Sequence, residues 1–222
     1  MEFILFVLII GAIVVVCIIL ALQSQKKRRE AMVQVAQTLG LTYLEQDSAY
    51  KDSEYNNIKL FNEGHSRKAY NVIGGKKENC GVDIFDYKYV TGSGKNQQTH
   101  YYSVCILIIP QRFKSLYVRR ENFLDKIAGV IGFDDIDFES KEFSSRYYVK
   151  SDDRKFAYDI IHPQMIEFLL RIPQVPFIEI NGRHLAFYVS GKIKPEAYID
   201  LYNFGMQFYQ KTPDYVLEEY KL

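Results

Sequence analysis

An α+β fold behind a single apolar anchor is predicted by three features of the chain. Phe3 to Leu22 form an unbroken apolar run. A succession of β-branched and aromatic stretches follows, separated by Gly and Asn clusters, which is the signature of antiparallel strands. Segments with helical spacing then arrive in groups instead of alternating strand by strand, which excludes a Rossmann-type order.

The apolar run comes first. At about 1.5 Å per residue its 20 positions cover roughly 30 Å, the thickness of a bilayer's hydrocarbon core. Its large apolar side chains favour insertion by about 5 to 10 kcal/mol. A cleaved secretory signal would place basic residues before a shorter apolar core and end on small residues. Here only Met1 and Glu2 precede the run, Lys26, Lys27, Arg28 and Arg29 follow it, and Ala21-Leu22-Gln23-Ser24 is a poor cleavage site. The expected organisation is an uncleaved anchor over 1–25, a basic helical stalk over 26–40, and a soluble α+β domain over 41–222, divisible at 115/116 into two subdomains. Basic residues stay on the cytoplasmic side, so a single pass through the inner membrane with Met1 outside and the domain in the cytoplasm is expected. Lys26, Lys27, Arg28 and Arg29 read as a membrane-surface orientation signal in preference to a specific phosphoinositide sensor.

Met32, Val35, Ala36 and Leu39 fall at helical spacing after the anchor, and Gly40 supplies a stop. Strands are predicted at Thr42–Leu44, Ile58–Phe61, Lys68–Ile73, Val82–Val90 and Tyr101–Ile109, with Pro110 ending the last. Glu121–Val130 reads as a helix, Ser145–Val149 as a short strand. Asp152–Ile160 and Pro163–Arg171 read as two helices broken at His162-Pro163, with proline at the first position of the second. Phe177–Ile180 and His184–Val189 flank Asn181-Gly182, a tight-hairpin signal. Pro195–Tyr209 is a further helix, and Tyr215–Leu222 a short final one.

Composition narrows the function classes. Of 28 basic and 27 acidic residues, 24 and 26 remain once Lys26–Arg29 and Glu2 are set aside. A domain near −2 is no electrostatic nucleic-acid binder. Cys17, Cys80 and Cys105 are few, odd in number and without CxxC spacing, as expected of reduced thiols.

Several local patterns suggest chemistry. Thr91-Gly92-Ser93-Gly94-Lys95-Asn96 resembles a phosphate loop but lacks the Ser or Thr and the helix that a Walker loop needs after its lysine, so it reads as a hairpin tip. Gly74-Gly75-Lys76-Lys77 reads as a basic turn. Lys76, Lys77 and Lys95 are the candidates for holding a phosphate-bearing ligand. His65, Arg67 and His100 are the candidates for a polar catalytic site, because strand pairing brings segments 64–70 and 99–105 together. No nucleophile elbow accompanies them. The possible metal ligands His65, Cys80, His100, Cys105, His162 and His184 share no ligand spacing, so no metal and no cofactor is expected. Asp134-Asp135-Ile136-Asp137-Phe138-Glu139 alternates charged and apolar residues as a half-buried edge segment does, and lacks an EF-hand's spacing.

GHSRKAYNV (64–72), DIFDYKYVTGSGKNQQTH (83–100) and DDIDFESKEFS (134–144) resemble segments of a group of small bacterial membrane-anchored proteins with a domain of unknown function. The likeness covers most of residues 38–170 and implies a bacterial inner-membrane protein. It carries no catalytic residue over. The leading expectation is therefore a non-catalytic interaction or scaffold module with a protein partner, held at the bilayer through Phe3 to Leu22. A tethered hydrolase or small-ligand enzyme around His65, Arg67 and His100, and a phosphate-ligand sensor, are the alternatives.

Overall fold

The computed structural model describes residues 2–44, 54–121 and 136–221. The predicted helix over Glu121–Val130, Glu121 excepted, and the pair Asp134-Asp135 lie outside the described residues. The architecture is α+β, a long apolar helix leading into an antiparallel sheet, six-stranded among the described residues, with helices packed on it.

Helix α1 (Glu2–Leu39) runs unbroken for 38 residues, about 57 Å. It is long and apolar enough to cross a membrane, with a mean hydropathy of 3.1 over its most apolar 18 residues. Its apolar half stands clear of the domain, from Ile4 at 66% exposure to Leu22 at 60%. The helix turns inward only where the sequence becomes amphipathic, burying Met32, Val35, Ala36 and Leu39 against the sheet. It ends in a Schellman cap: Gly40 takes φ +69, its N–H donates to Gln37 O (3.1 Å) and the Leu41 N–H to Ala36 O (2.8 Å). Glycine is required there because a Cβ disfavours the left-handed conformation.

Strands β1 (Thr42–Leu44), β2 (His65–Lys77), β3 (Cys80–Thr91) and β4 (Gln98–Arg120) form an antiparallel meander. β4 is the spine. β3 pairs with its first half, β5 (Tyr147–Ser151) with its second, and β6 (Phe177–Ser190) lies along its other edge. β4 runs through residue 115 unbroken and pairs with β6 on both sides of it, with register shifts between Ile108 and Leu116, so the possible divide at 115/116 falls inside one sheet.

Three predicted features are corrected by this sheet. Pro110 does not end the strand: β4 continues to Arg120, and Pro110 sits at an irregularity where the register with β6 shifts between Ile108 and Phe113. Proline is tolerated at such bulges because no ladder bond is asked of its nitrogen. Asn181-Gly182 makes no hairpin. β6 continues through it, with Gly182 at φ +61 opposite Phe113, where the register with β4 shifts, and the Arg183 side chain donating Nε to Ile109 O (2.9 Å). Ile58–Phe61 is no strand either but lies on a 3-10 turn (Lys59–Asn62). Ile58, Leu60 and Phe61 are all buried, a spacing that strand alternation cannot satisfy.

Helices α2 (Lys141–Arg146), α3 (Arg154–Ile160), α4 (Pro163–Arg171), α5 (Ala197–Gln210) and α6 (Asp214–Glu219) follow the predicted punctuation, α2 excepted. Ser145 closes α2 instead of opening β5. Ser140 and Asp153 cap α2 and α3 by accepting from Phe143 N and Phe156 N, and Pro163 starts α4. On α5, a Cβ at Gly205 would come within 2.8 Å of the Phe187 ring. Its absence lets the helix close on β6.

The sheet divides two cores. Ile73, Val82, Ile84, Cys105, Leu107 and Phe187 face the helices. Their neighbours Val72, Phe85, Tyr87, Val104, Ile106, Ala186 and Tyr188 face the other way, under Tyr55, Ile58, Leu60 and Phe61. The period-2 alternation of a strand buried on both sides produces both. Of the acidic stretch, Ile136 and Phe138 are buried and Asp137 and Glu139 exposed, with the Ile136 N–H donating to Val149 O of β5 (2.9 Å).

Candidate functional site at the foot of the apolar helix

A carboxylate in the middle of an apolar strand must find partners or raise the free energy of folding by several kcal/mol. Asp86 of β3 is fully buried on the helix-covered face. Its partner is Arg28, which reaches in from α1: Nε donates to Oδ2 (2.8 Å) and Nη2 to Oδ1 (2.5 Å), a bidentate fork. Asn71 Nδ2 (2.7 Å) and the Tyr198 hydroxyl (2.9 Å) complete the carboxylate's bonds. The Asn71 side chain is aimed by a bulge in β2 between Tyr70 and Ile73, where Asn71 adopts φ +53. Asparagine tolerates that conformation better than most residues. Arg28 also donates Nη1 to Ile193 O (2.8 Å). Hydrogen bonding to Asp86 raises the Arg28 pKa, against the opposing effect of burial. The fork has a geometry that a lysine cannot reproduce, so it fixes the rotation of α1 about its axis as well as its position.

This places Arg28 otherwise than the sequence suggested. Of the basic tetrad it is turned into the protein, its side chain 18% exposed, and is a clamp rather than a surface charge. Beside the clamp, α1 and the sheet enclose a groove of about 580 Å³. Leu22, Lys26 and Arg29 of α1 form one wall, Tyr70, Lys88 and Tyr101 the floor, and Lys192 the far side. No Asp or Glu is among the described residues that line it, while Arg28 and Lys68 add to its positive charge. Lys192 Nζ lies over the rings of Tyr101 (4.5 Å) and Tyr70 (5.5 Å), and Arg29 over Tyr43 (5.9 Å). The Tyr70 hydroxyl is buried with no hydrogen-bond partner among the described residues. Burial, then the charge of Asp86, pushes its pKa up, so it is a donor. A cavity with cations, a phenol and cation-π contacts is built to hold an anion.

The sequence-predicted candidates lie elsewhere. His65 bonds Ser66 Oγ (3.0 Å) and the Gly92 carbonyl (3.0 Å). His100 bonds Thr91 Oγ1 (2.8 Å) and stacks on Tyr89, with 4.8 Å between ring centroids. Arg67 donates to Phe61 O (3.0 Å). The three gather at one end of the sheet, with β3 between β2 and β4, and these bonds tie adjacent strands and turns. Lys76 and Lys77 end β2, where Lys77 donates to Leu39 O (2.7 Å) and lies over the Tyr202 ring (5.6 Å), helping to cap α1. Lys95 occupies the tip at the other end of β3, a strand length of about 35 Å away. The structure does not bring it to Lys76 and Lys77. Lys26 and Lys27 are exposed on α1. Burial pushes the thiols of Cys80 and Cys105 up, away from thiolate chemistry.

Sequence reasoning missed Asp86, Asn71, Tyr70, Lys88 and Lys192. The usable signal was Asp83 and Asp86 inside a strand predicted from its apolar residues, since each demands a buried partner. A second groove of about 700 Å³ lies beside the outer edge of β6, lined mainly by apolar side chains such as Phe168, Val175, Phe177, Leu201 and Phe204.

No protein-family model matches the chain, and no curated protein matches it. Among solved structures it is similar to the mycobacterial trehalose monomycolate transport factor A, TtfA, at a TM-score of 0.55 and 14% identity. The likeness covers 82% of this chain and 90% of that one. What the two share at that identity is the fold.

Proposed function

We propose that this chain is a single-pass protein of a bacterial inner membrane, N-terminus outside, whose α+β domain works at the cytoplasmic face as a non-catalytic scaffold for a protein partner. The observation that carries the reading is the Arg28–Asp86 fork. With it, the helix that would cross the membrane continues into the core without a hinge, and the domain becomes a rigid extension of its anchor. An enzyme needs only a tether. A scaffold benefits from being held at one orientation, because each interface then faces a fixed direction along the bilayer. The apolar groove beside β6 supplies a surface for the partner, rich in the aromatic side chains that dominate interfaces. A fold shared with a transport factor is in keeping with an accessory role at a membrane.

Fractionation and protease protection test the placement, and crosslinking with affinity purification from native membranes tests the partner. The expected results are a membrane-bound product, a C-terminal domain protected in intact spheroplasts, and reproducible recovery of one protein. Phe168→Arg, at a partly buried position that lines the β6 groove, is expected to abolish that recovery. A freely soluble product, digestion from outside, or no reproducible partner overturns the proposal.

A further inference from the structure

We infer that the cationic groove beside Arg28 binds the phosphate headgroup of an anionic phospholipid in the leaflet from which α1 emerges. The inference rests on the anchor reading above and adds a ligand to it.

Depth is the first argument. Leu22, the last residue of the apolar run, lines the groove together with Lys26 and Arg29. At about 1.5 Å per residue these two stand about 6 and 10 Å beyond Leu22, within the headgroup layer that flanks a hydrocarbon core of roughly 30 Å. A lipid whose acyl chains lie beside the apolar half of α1 therefore has its phosphate at the mouth of the groove. A free phosphate would need no Leu22 at the rim.

Chemistry is the second. Lys88 and Lys192 come from the sheet and from the segment after β6, so the groove is assembled by folding and is not a run of basic residues in sequence. Arg28 is committed to Asp86 and Ile193. Lys26 has Glu30 at 4.0 Å, both well exposed, a pairing of little energetic consequence. The cations left to meet a ligand are therefore Lys26, Lys88 and Lys192, with the buried Tyr70 hydroxyl as a neutral donor lacking a partner among the described residues. A volume of about 580 Å³ falls in the range of small-ligand sites, roughly 300 to 1,000 Å³. A phosphate and its polar substituent fit such a space, and the acyl chains remain in the bilayer.

The test titrates the full chain in detergent micelles with dihexanoyl phosphatidylglycerol, dihexanoyl phosphatidylcholine, glycerol 3-phosphate and inorganic phosphate, following the unfolding temperature. Phosphatidylglycerol is expected to stabilise the protein at concentrations where the other three do not. Lys88→Gln/Lys192→Gln is expected to weaken its binding about thirtyfold, the factor for two headgroup-level cations. Lys95→Gln, at the distant hairpin tip, is expected to leave it unchanged. Should the double variant fail to fold, Tyr70→Phe serves, with a loss of about tenfold for one hydrogen bond to a charged ligand. Equal responses to phosphatidylglycerol and phosphatidylcholine overturn the site, as does a folded variant that binds like wild type. Inorganic phosphate or glycerol 3-phosphate acting as strongly as phosphatidylglycerol overturns the lipid in favour of a soluble ligand. Each of these leaves the anchor reading standing if the chain still fractionates with membranes.

Discussion

The two faces of the sheet solve the same problem in opposite ways. Each buries at least one carboxyl group and each is covered by a segment from elsewhere in the chain. On the helix-covered face Asp86 meets a formal charge, Arg28, in a two-bond fork. On the aromatic face Glu179 is met by the neutral Lys59 N–H and Tyr188 hydroxyl, and Asp83 accepts from the Tyr55 hydroxyl. Burial pushes the Glu179 carboxyl up despite those two donors. His184, bonded to Asn57 Oδ1 (2.8 Å) on the same face, is pushed down by burial. A charged partner makes its contact insensitive to ordinary pH. Neutral partners couple the cover segment to protons. The first face is thus suited to a permanent attachment, the second to a cover held by marginal terms.

Breaking the fork is expected to have the largest effect. Asp86→Ala leaves Arg28 without its counter-charge and removes the acceptor of Asn71 and Tyr198, which costs about 3 to 5 kcal/mol for a broken buried pair. Urea unfolding of the full chain in detergent reads it. A loss below about 1 kcal/mol would mean that the fork is not what holds α1, since that is the worth of an ordinary surface pair.

The matching change on the other face is Phe61→Ala. Phe61 is 1% exposed and packs on Phe85 and Tyr87, with ring centroids 5.9 and 4.9 Å away. Truncation of such a ring costs about 3 kcal/mol. The difference from Asp86→Ala lies in how the loss is distributed. Amide exchange is expected to rise first at Ile58 and Leu60, while Met32 to Leu39 of α1 stay protected, because a short cover opens locally before the sheet does. Simultaneous loss of protection in both would break the comparison and make the two faces one cooperative unit.

How much of this was readable in advance follows from the range of the interactions concerned. The apolar half of α1, the Gly40 stop, the break at Pro163 and the β2–β4 meander are set by residues within a few positions of one another, and they were legible. Ile58–Phe61 was not, because its turn is held by Lys59 N on Glu179 and by Asn57 against Asn181, contacts spanning more than a hundred residues. Asn181-Gly182 has the local chemistry of a hairpin, yet the pairing of β6 with all of β4 overrides it. The site divides in the same way. The basic tetrad was visible, but the inward turn of Arg28 depends on Asp86, and the groove on Lys88 and Lys192 meeting α1 only in the fold. His65 and His100, conspicuous in the sequence, are bonded to the strands and turn at one end of the sheet.

The smallest expected effect, and the one that separates the two faces most sharply, is their response to pH. The folded pKa of His184 is below its usual value, so the native state binds fewer protons than the unfolded chain. Stability is therefore lost as pH falls from about 6.5 towards that lowered value. The folded pKa of Glu179 is above its usual value, so the native state binds more protons between the two values. Its contribution has the opposite sign: stability falls as pH rises through that window and returns on acidification. The wild-type profile is the sum of these two contributions of opposite sign, each worth about 1.4 kcal/mol for every tenfold difference in proton affinity between the folded and unfolded chain. Glu179→Gln removes the group of opposite sign and is expected to steepen the loss of stability on acidification below about pH 6.5. His184→Gln removes the sensitive one and is expected to flatten or reverse it. Exchange at the Ile58 and Leu60 amides over that range reads both, with the Arg28 end of α1 as the internal reference. If the two variants follow the wild-type curve, the carboxyl and imidazole do not govern the cover. A matching pH response in α1 would mean that the charged fork is no better insulated from protons than its neutral counterpart.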